Sequence, residues 1–435
     1  MWTILLAALI AEPSAQPLPA PLGPKAVAAR AAETSPAATA ALANARAAMS
    51  RADRNDLRFY PRVTATARYT RLSETDPMTI EGLPIAVAIP APIPDQLSFG
   101  AEVAVPLSDW LVRYGAAHAA GKHAADVDRA LAAVARQRAA AEAVATYWQW
   151  QRARLGVAVA RASIADAESH RAAAETLVKA EVASIADQRL AEAGLAQAQL
   201  ELARGEHAEA LALTAVRTAL HDPASTLAPE DPTAPPWTIP AGDAAALEAL
   251  ALTQRPELAA LRAGNSALEA QSRLVAADRW PRLDLVAHAT VASPSPRGLM
   301  NDSEAVAVWD ASIVATWNVN GLWETSPVED ELAAQRAKLA ADRAALEDGV
   351  HLEVALALRD LADADASKTA SQAMLVAAEE AYRVRAAAYK AGRGTSVDLT
   401  SAETQLTRAR LGIANATIDR RIAEVHLLHA LGQTL

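Results

Sequence analysis

Two spacings of apolar residues alternate along this chain and divide it into helices and strands. From about Lys25 to Leu57 the apolar positions follow a helical period, with Pro36 near the first turns. Tyr60-Pro61-Arg62 ends that helix, and the period drops to two. Val63, Ala65, Ala67 and Tyr69 then alternate with Thr64, Thr66, Arg68 and Thr70, which predicts a strand over about 62–72 with one apolar and one polar face. Residues 73–97 hold five prolines and the apolar patch Ile85-Ala86-Val87-Ala88-Ile89, and they read as a loop in which that patch can form a short extra strand. Phe99, Ala101, Val103 and Val105 mark a second strand over about 98–107. From about Arg113 to Val178 there is no proline in 66 residues, and helix formers dominate. At ~1.5 Å per residue such a helix is ~100 Å long, a length that belongs to coiled coils and bundles. A break at 180–184 precedes another helix that runs to Leu220, and six prolines within 221–244 mark a linker.

The second half repeats this order. Pro256 answers Pro36, and Trp280-Pro281-Arg282 answers Tyr60-Pro61-Arg62, in both cases 220 residues later. Leu283, Leu285, Ala287, Ala289 and Val291 against Asp284, His288 and Thr290 predict a strand over about 282–292. Trp309, Ala311, Ile313, Ala315 and Trp317 against Asp310, Ser312, Thr316 and Asn318 predict another over about 308–319. Beyond the strands the repeat distance is 211, so the second inter-strand loop is 9 residues shorter. Ser326-Pro327-Val328-Glu329 reads as a helix start, with a capping box and Pro at the first helical position. The long helix ends near Tyr389, a turn follows over Ala391-Gly392-Arg393-Gly394-Thr395, and the last helix ends at Leu431-Gly432. Gly392 and Gly394 free the backbone there, Thr395 or Ser396 caps the next helix, and Asp398 suits its first turn. Lys179 and Lys390, Asp187 and Asp398, and Leu220 and Leu431 all keep the 211-residue distance, so the helical hairpins contain no insertion. In each half the pre-strand helix (about 34 residues) and the post-turn helix (about 36) together match the long helix (about 66). The two short ones can therefore lie beside it, with strands emerging at one end and turns at the other.

Composition changes the picture in three places. Hydrophobic residues make up 52 % of the chain but aromatics only 4 %, and the difference is mostly Ala, which suits helices packed closely side by side. The net charge is −10 with the positive charges scattered, a poor basis for binding nucleic acid. There is no Cys, which excludes disulfides, thiolate metal sites, Cys nucleophiles and a lipid-modified Cys. Trp2–Ala11 is an apolar run of signal-peptide length without a basic n-region, with Ser14-Ala15 as its cleavage region. The chain thus divides into a signal peptide (1–15), a Pro-rich tether (16–24), a first repeat (25–221, tip about 180–187), a Pro-rich linker (222–244) and a second repeat (245–435, tip about 391–398).

No later segment reaches the ~18 uninterrupted apolar residues of a membrane helix, so a membrane can be crossed only with strands. Strands of about ten residues alternating apolar and polar have the length of membrane-barrel strands. Trp309 and Trp317 lie eight residues apart on one predicted face, about 26 Å along a strand, which approximates the distance between two aromatic girdles. Phe99 and Tyr69 are further girdle candidates. Four strands are too few to close a pore, so closure needs several chains. The competing expectation is a periplasmic coiled-coil rod, structural or adaptor-like, that never enters a membrane.

The helix–strand–strand–long helix–turn–helix unit occurring twice, the Pro before each strand, and Lys390-Ala391-Gly392 followed by Thr395 and Val397-Asp398-Leu399 resemble the TolC-like outer-membrane efflux protein family. The resemblance covers roughly residues 25–432. It implies a mainly α fold with a small β portion, in which an α-helical coiled-coil barrel joins four strands per chain. It also implies a homotrimer that completes a 12-stranded transmembrane β-barrel in the outer membrane and extends into the periplasm. Such proteins are passive exit ducts of tripartite pumps or type I secretion systems, working with a periplasmic adaptor (a membrane fusion protein) and an inner-membrane transporter. Docking by the adaptor would fall on the tips, at Lys179, Ala180, Ser184, Lys390, Gly392, Gly394, Thr395 and Ser396. The periplasmic aperture would be set by Asp398, with Asp187 as its counterpart in the first repeat. Ser401 stands where some relatives carry a second acid.

Other chemistry is weakly supported. Gly115-Ala116-Ala117-His118-Ala119-Ala120-Gly121-Lys122 resembles a phosphate loop, but its glycines are one residue too far apart and His123 stands where Ser or Thr must hold Mg²⁺. His426 and His429 can share a helix face with Glu424, a pattern more often solvated than metal-binding. Tyr147, Trp148 and Trp150 read as packing residues between helices. No Ser/His/Asp constellation, cofactor motif or enzyme signature stands out.

Overall fold

The computed structural model describes residues 21–80, 87–89, 91–295, 297 and 303–435. The signal segment, its cleavage region and most of the tether lie outside these residues, as does part of the 85–89 patch. The chain forms two compact units. One comprises Met1–Ala43, Arg129–Ala259 and Arg343–Leu435, and the other Asn44–Asp128 and Ala260–Asp342.

The elements follow the duplicated order. Helices α1 (Pro24–Thr34) and α2 (Pro36–Asp56) lead into β1 (Arg62–Arg71), followed by β2 (Met78–Ile80), β3 (Val87–Ile89) and β4 (Asp95–Pro106). A short α3 (Leu107–Val112), the long α4 (Tyr114–Lys179) and α5 (Ile185–Ala219) complete the first repeat. The second has α6 (Ala244–Gln254), α7 (Pro256–Ala277), β5 (Arg282–Ser293), β6 (Val306–Thr316), α8 (Gly321–Lys390) and α9 (Ser396–Ala430). Helices α5 and α9 both have 35 residues and start 211 residues apart, so these two copies match residue for residue.

Three predicted boundaries shift, each for a local reason. The single helix expected over 25–57 is two, because Pro36 forces Ser35 into an extended conformation (ψ 127°) and starts a new helix; Pro256 does the same to Arg255 (ψ 124°). The helix start expected at Ser326-Pro327 lies earlier, and Pro327 sits inside α8. Arg279 decides this: it donates to Thr325 Oγ1 (2.9 Å) and pairs with Glu329 (2.7 Å), so Glu329 is drawn away from any cap on Ser326. Strand β6 ends at Thr316, so Trp317 lies past it and donates its indole N–H to the Arg279 carbonyl (3.1 Å). Of the two tryptophans, only Trp309 lies within β6.

In the unit with the strands, β1, β4, β5 and β6 form one antiparallel sheet in the order β1-β4-β5-β6, and β2 and β3 form a separate hairpin. Arg113, at the break between α3 and α4, is buried and fully paired. It bonds Asp109 (2.8 Å) and caps the end of α7 through the carbonyls of Ala277 (2.7 Å) and Trp280 (2.9 Å).

The other unit is built from the helical hairpins. Its main core gathers Val27, Val144, Tyr147, Trp148, Trp150, Val216, Leu220, Ile418 and Val425, with Ala in the remaining positions. The Pro-rich linker is strapped onto this core. Tyr147 donates to the Ala228 carbonyl (2.7 Å) and Gln151 to that of Glu230 (2.6 Å), while buried Arg421 donates to those of Pro232 (2.7 Å) and Thr233 (2.8 Å). The end of the predicted tether joins it, since Leu22 bridges to Leu227.

Candidate functional sites: the apolar sheet face and the two helical turns

The sheet register sorts the strand residues by face. Val63, Ala65, Ala67 and Tyr69 of β1 stand opposite Val103, Ala101, Phe99 and Leu97 of β4. These continue to Ala287, Ala289, Val291 and Ser293 of β5 and on to Ala311, Trp309 and Ala307 of β6. One face is therefore apolar across all four strands. It is also open: Val63, Tyr69, Phe99, Trp309 and Ile313 are each more than half exposed. The opposite face carries Thr64, Thr66, Arg68, Glu102, His288, Asp310 and Ser312, with His288 bridging Glu102 (3.3 Å) and Asp310 (3.4 Å) across three strands. Gly100 lies between Thr66 and Thr290 on that side.

Of the four girdle candidates, Phe99, Tyr69 and Trp309 lie on this face. Trp309 sits mid-strand on a row of alanines (Ala65, Ala101, Ala289). Trp317 belongs instead to a group at one end of the sheet. Tyr60 precedes β1, Trp110 follows β4, Trp280 precedes β5, and Trp317 and Trp323 follow β6; in an antiparallel sheet these are the same end, and all five rings are exposed.

The two helical turns share one backbone plan. Val182 N–H bonds the Leu177 carbonyl and Arg393 N–H that of Ala388 (both 2.9 Å), a helix-ending loop that needs one left-handed residue. That residue is Glu181 (φ 57°) in the first turn and Gly392 (φ 69°) in the second. Gly394 is not left-handed; a side chain there would press on the Tyr389 backbone at 3.2 Å. A Cβ on Gly392 would lie 3.1 Å from the Val182 side chain, so the two turns touch.

Ser184 caps α5, with Asp187 returning the bond to the Ser184 N–H (3.0 Å). Those hydrogen bonds hold the Asp187 carboxyl below its ordinary value. Thr395 caps α9, accepting from the Asp398 N–H (3.1 Å). Asp398 differs from its counterpart: it makes an ion pair with Arg385 (3.0 Å). Ser401 is exposed one turn further along, and Lys179 and Lys390 are exposed at the helix ends, Lys179 bonded to Glu175 (2.7 Å). Ala180 is exposed, whereas Ser396 is buried, so Ser396 presents nothing to a docking partner in the isolated chain.

Beneath the turns lies a node the sequence did not announce. His170 of α4 is buried, with Nδ1 at 3.2 Å from Glu403 and Nε2 at 3.1 Å from Ser396 Oγ, and its ring meets Tyr389 edge-on at 5.0 Å. Burial raises the Tyr389 hydroxyl pKa and lifts that of Tyr382, two turns earlier in α8, to about 12. This is a Ser/His/acid arrangement where none was expected. Ser396 is 1 % exposed, so the trio has no route to a substrate and serves to join α4 to the start of α9. Residues 170, 396 and 403 are too far apart in sequence for any spacing pattern to link them.

The remaining candidates disperse. Gly115–Lys122 lies within α4 and forms no loop. Glu424 is taken by Arg420 and Arg421, so it does not face His426 and His429 as a ligand set. Among the described residues no group of His, Asp and Glu can hold a metal ion, and no helix is long and apolar enough to cross a membrane.

Comparison with known proteins follows these features. Residues 247–433 match the family described as "Outer membrane efflux protein". The fold of the whole chain agrees with solved efflux-channel structures. The outer-membrane channel OprN superposes with a TM-score of 0.73 at 20% identity, covering 93% of this chain and 89% of its own. The open state of the Neisseria gonorrhoeae MtrE outer membrane channel gives 0.72 at 19%, covering 95% and 89%. The outer membrane protein VceC from Vibrio cholerae gives 0.71 at 16%, covering 94% and 95%. No curated protein matches in sequence. Because those structures are matched over nearly their full length, the first repeat shares the efflux-protein fold, and the resemblance read from the duplicated unit stands.

Proposed function

We propose that three copies of this chain form the outer-membrane exit duct of a tripartite efflux or type I secretion system, through which substrates leave passively. The carrying observation is the sheet: one face apolar across its four strands and largely exposed, the other bearing the charged and most of the hydroxyl side chains, and both outer strands, β1 and β6, paired on one side only among the described residues. Strand β6 of one copy pairs with β1 of the next, and twelve tilted strands enclose a water-filled passage. The apolar face meets lipid, the aromatic group at the strand ends sits at the membrane–water boundary, and the polar face lines the passage. A periplasmic rod has no use for such a face.

The turns at 180–187 and 391–398 are the docking points for a periplasmic adaptor, which couples the duct to an inner-membrane transporter. Asp398 faces the constriction. Three copies make a ring of carboxylates, each tempered by Arg385 of its own chain. Asp187 is occupied by the cap on α5 and shapes the turn rather than the passage.

Purified protein added to a planar lipid bilayer gives stepwise conductance; silence from reconstituted trimer overturns the duct, and recovery of the native protein in the soluble periplasm favours the rod. Replacing Asp398 by Ala changes the cation dependence of the conductance, and an unchanged dependence removes Asp398 from the constriction.

A further inference from the structure

The polar face of the sheet carries one histidine among the described residues, His288, midway along β5. In register with it stand Glu102 of β4 and Asp310 of β6, and Thr64 of β1 completes the row opposite Glu102. His288 bridges both carboxylates, with Nε2 at 3.3 Å from Glu102 and Nδ1 at 3.4 Å from Asp310, and all three side chains are nearly half exposed. A neutral imidazole has one N–H and can donate to only one of the two; a second proton completes both bridges. The adjoining rows of these strands hold Ala104, Val286 and Ser312 on one side and Gly100, Thr290 and Val308 on the other, none of them charged.

The other charges of this face balance. Within the four strands the carboxylates of Glu102, Asp284 and Asp310 stand against the guanidinium groups of Arg62, Arg68 and Arg282. From beyond the strands, Arg297 reaches Asp310 (3.0 Å) and Asp278 reaches Arg282 (3.3 Å). Asp278 also meets Arg113, whose charge Asp109 offsets (2.8 Å). Fixed charges of the two signs thus cancel, and His288 decides the sign. Histidine is the side chain whose charge ordinarily changes between about pH 5 and pH 8.

We propose that His288 sets the charge preference of the strand section of the duct. With neutral imidazoles the polar faces are balanced, and ions of both signs pass alike. With a proton on each, a positive charge from every copy stands around the passage, and small anions are favoured. This rests on the duct reading above, which turns the polar face to the passage, and it adds a second point of charge selection apart from Asp398 on the turns. The passage is water-filled, so the effect depends on range: charges act over ~30 Å at about 0.01 M salt but over only ~10 Å at about 0.1 M.

The test records the reconstituted wild-type duct in a planar bilayer under a KCl gradient whose dilute side is about 0.01 M. Its reversal potential shifts toward the anion value as both sides go from about pH 8 to about pH 5. His288→Gln, which keeps a donor and an acceptor without taking a charge, loses the shift, whereas Asp398→Ala keeps it. His288→Lys holds the acid-side value at both pH values. A wild type without the shift, His288→Gln with the whole of it, or Asp398→Ala without it overturns the proposal and leaves the duct standing. Silence from the wild type overturns the duct and the proposal with it. If His288→Gln fails to insert, His288→Lys decides, since a shift of wild-type size there overturns the proposal.

Discussion

The two repeats solve the same backbone problem with different residues. Each long helix and each following helix ends in a left-handed residue, and the four positions pair at 211 residues: Glu181 with Gly392, and His221 (φ 51°) with Gly432 (φ 72°). The second repeat uses glycine at both, and the first at neither. At the turns the close neighbour is only a side chain, that of Val182, 3.1 Å from a Cβ on Gly392. At the ends of α5 and α9 the two copies part: a Cβ on Gly432 would lie 3.0 Å from the Arg255 backbone, whereas His221 has a side chain in place. The comparison separates two reasons for a glycine, an unusual φ and a close neighbour, which a single copy would leave merged.

Changes at these positions break or sharpen the comparison. Gly432→Ala carries both penalties and costs about 2–4 kcal/mol in urea unfolding followed by circular dichroism; a cost no greater than that of Gly392→Ala would show that the Arg255 approach is inconsequential. Next in size is the buried node that joins α4 to α9. His170→Ala strands Glu403 and Ser396 and costs about 1–3 kcal/mol, whereas His207→Ala on exposed α5 costs nothing measurable by the same assay. At the turns, Gly392→Ala loses about 1 kcal/mol and Glu181→Gly gains a similar amount, read as opposite shifts in Tm. The smallest effect is in pH. The Asp187 carboxyl is held below its ordinary value of 3.8 by Ser184, so the folded state binds its proton less readily than the unfolded state does. The cap on α5 is at full strength above pH 3.8 and is lost as pH falls through the lower folded value. Amide exchange at 185–188 should quicken over that interval in the native chain and show no such pH step in Asp187→Asn.

Much of this was legible because duplication doubles every signal. A proline before a strand or a turn at the end of a proline-free run is ambiguous once and informative twice. The apolar and polar faces of the sheet could be read from alternation alone, since a period of two leaves no choice of face once one strand is placed. What was not legible depends on residues brought together from afar. Arg113 looked like the start of a helix but is the buried cap of another, 164 residues away. Pro327 obeyed the rule for a helix start, yet Arg279 reaches Thr325 and Glu329 and extends the helix past it. His170, Ser396 and Glu403 carry no common spacing. Asp398 was recognised for its position, but Arg385, which tempers its charge, lies in the preceding helix with nothing in the pattern to single it out.

The one-sided sheet has a consequence for the life of the single chain. In the duct proposed above its open face and the outer edges of β1 and β6 are covered by lipid and by other copies, so in water the single chain is a template for mispairing. Stability thereby becomes a matter of mass action: it rises with the local concentration of like chains and with the bilayer available to receive them. A newly made chain in an aqueous compartment is therefore open to mispairing, and raising its expression without raising the bilayer that receives it favours aggregate over assembly.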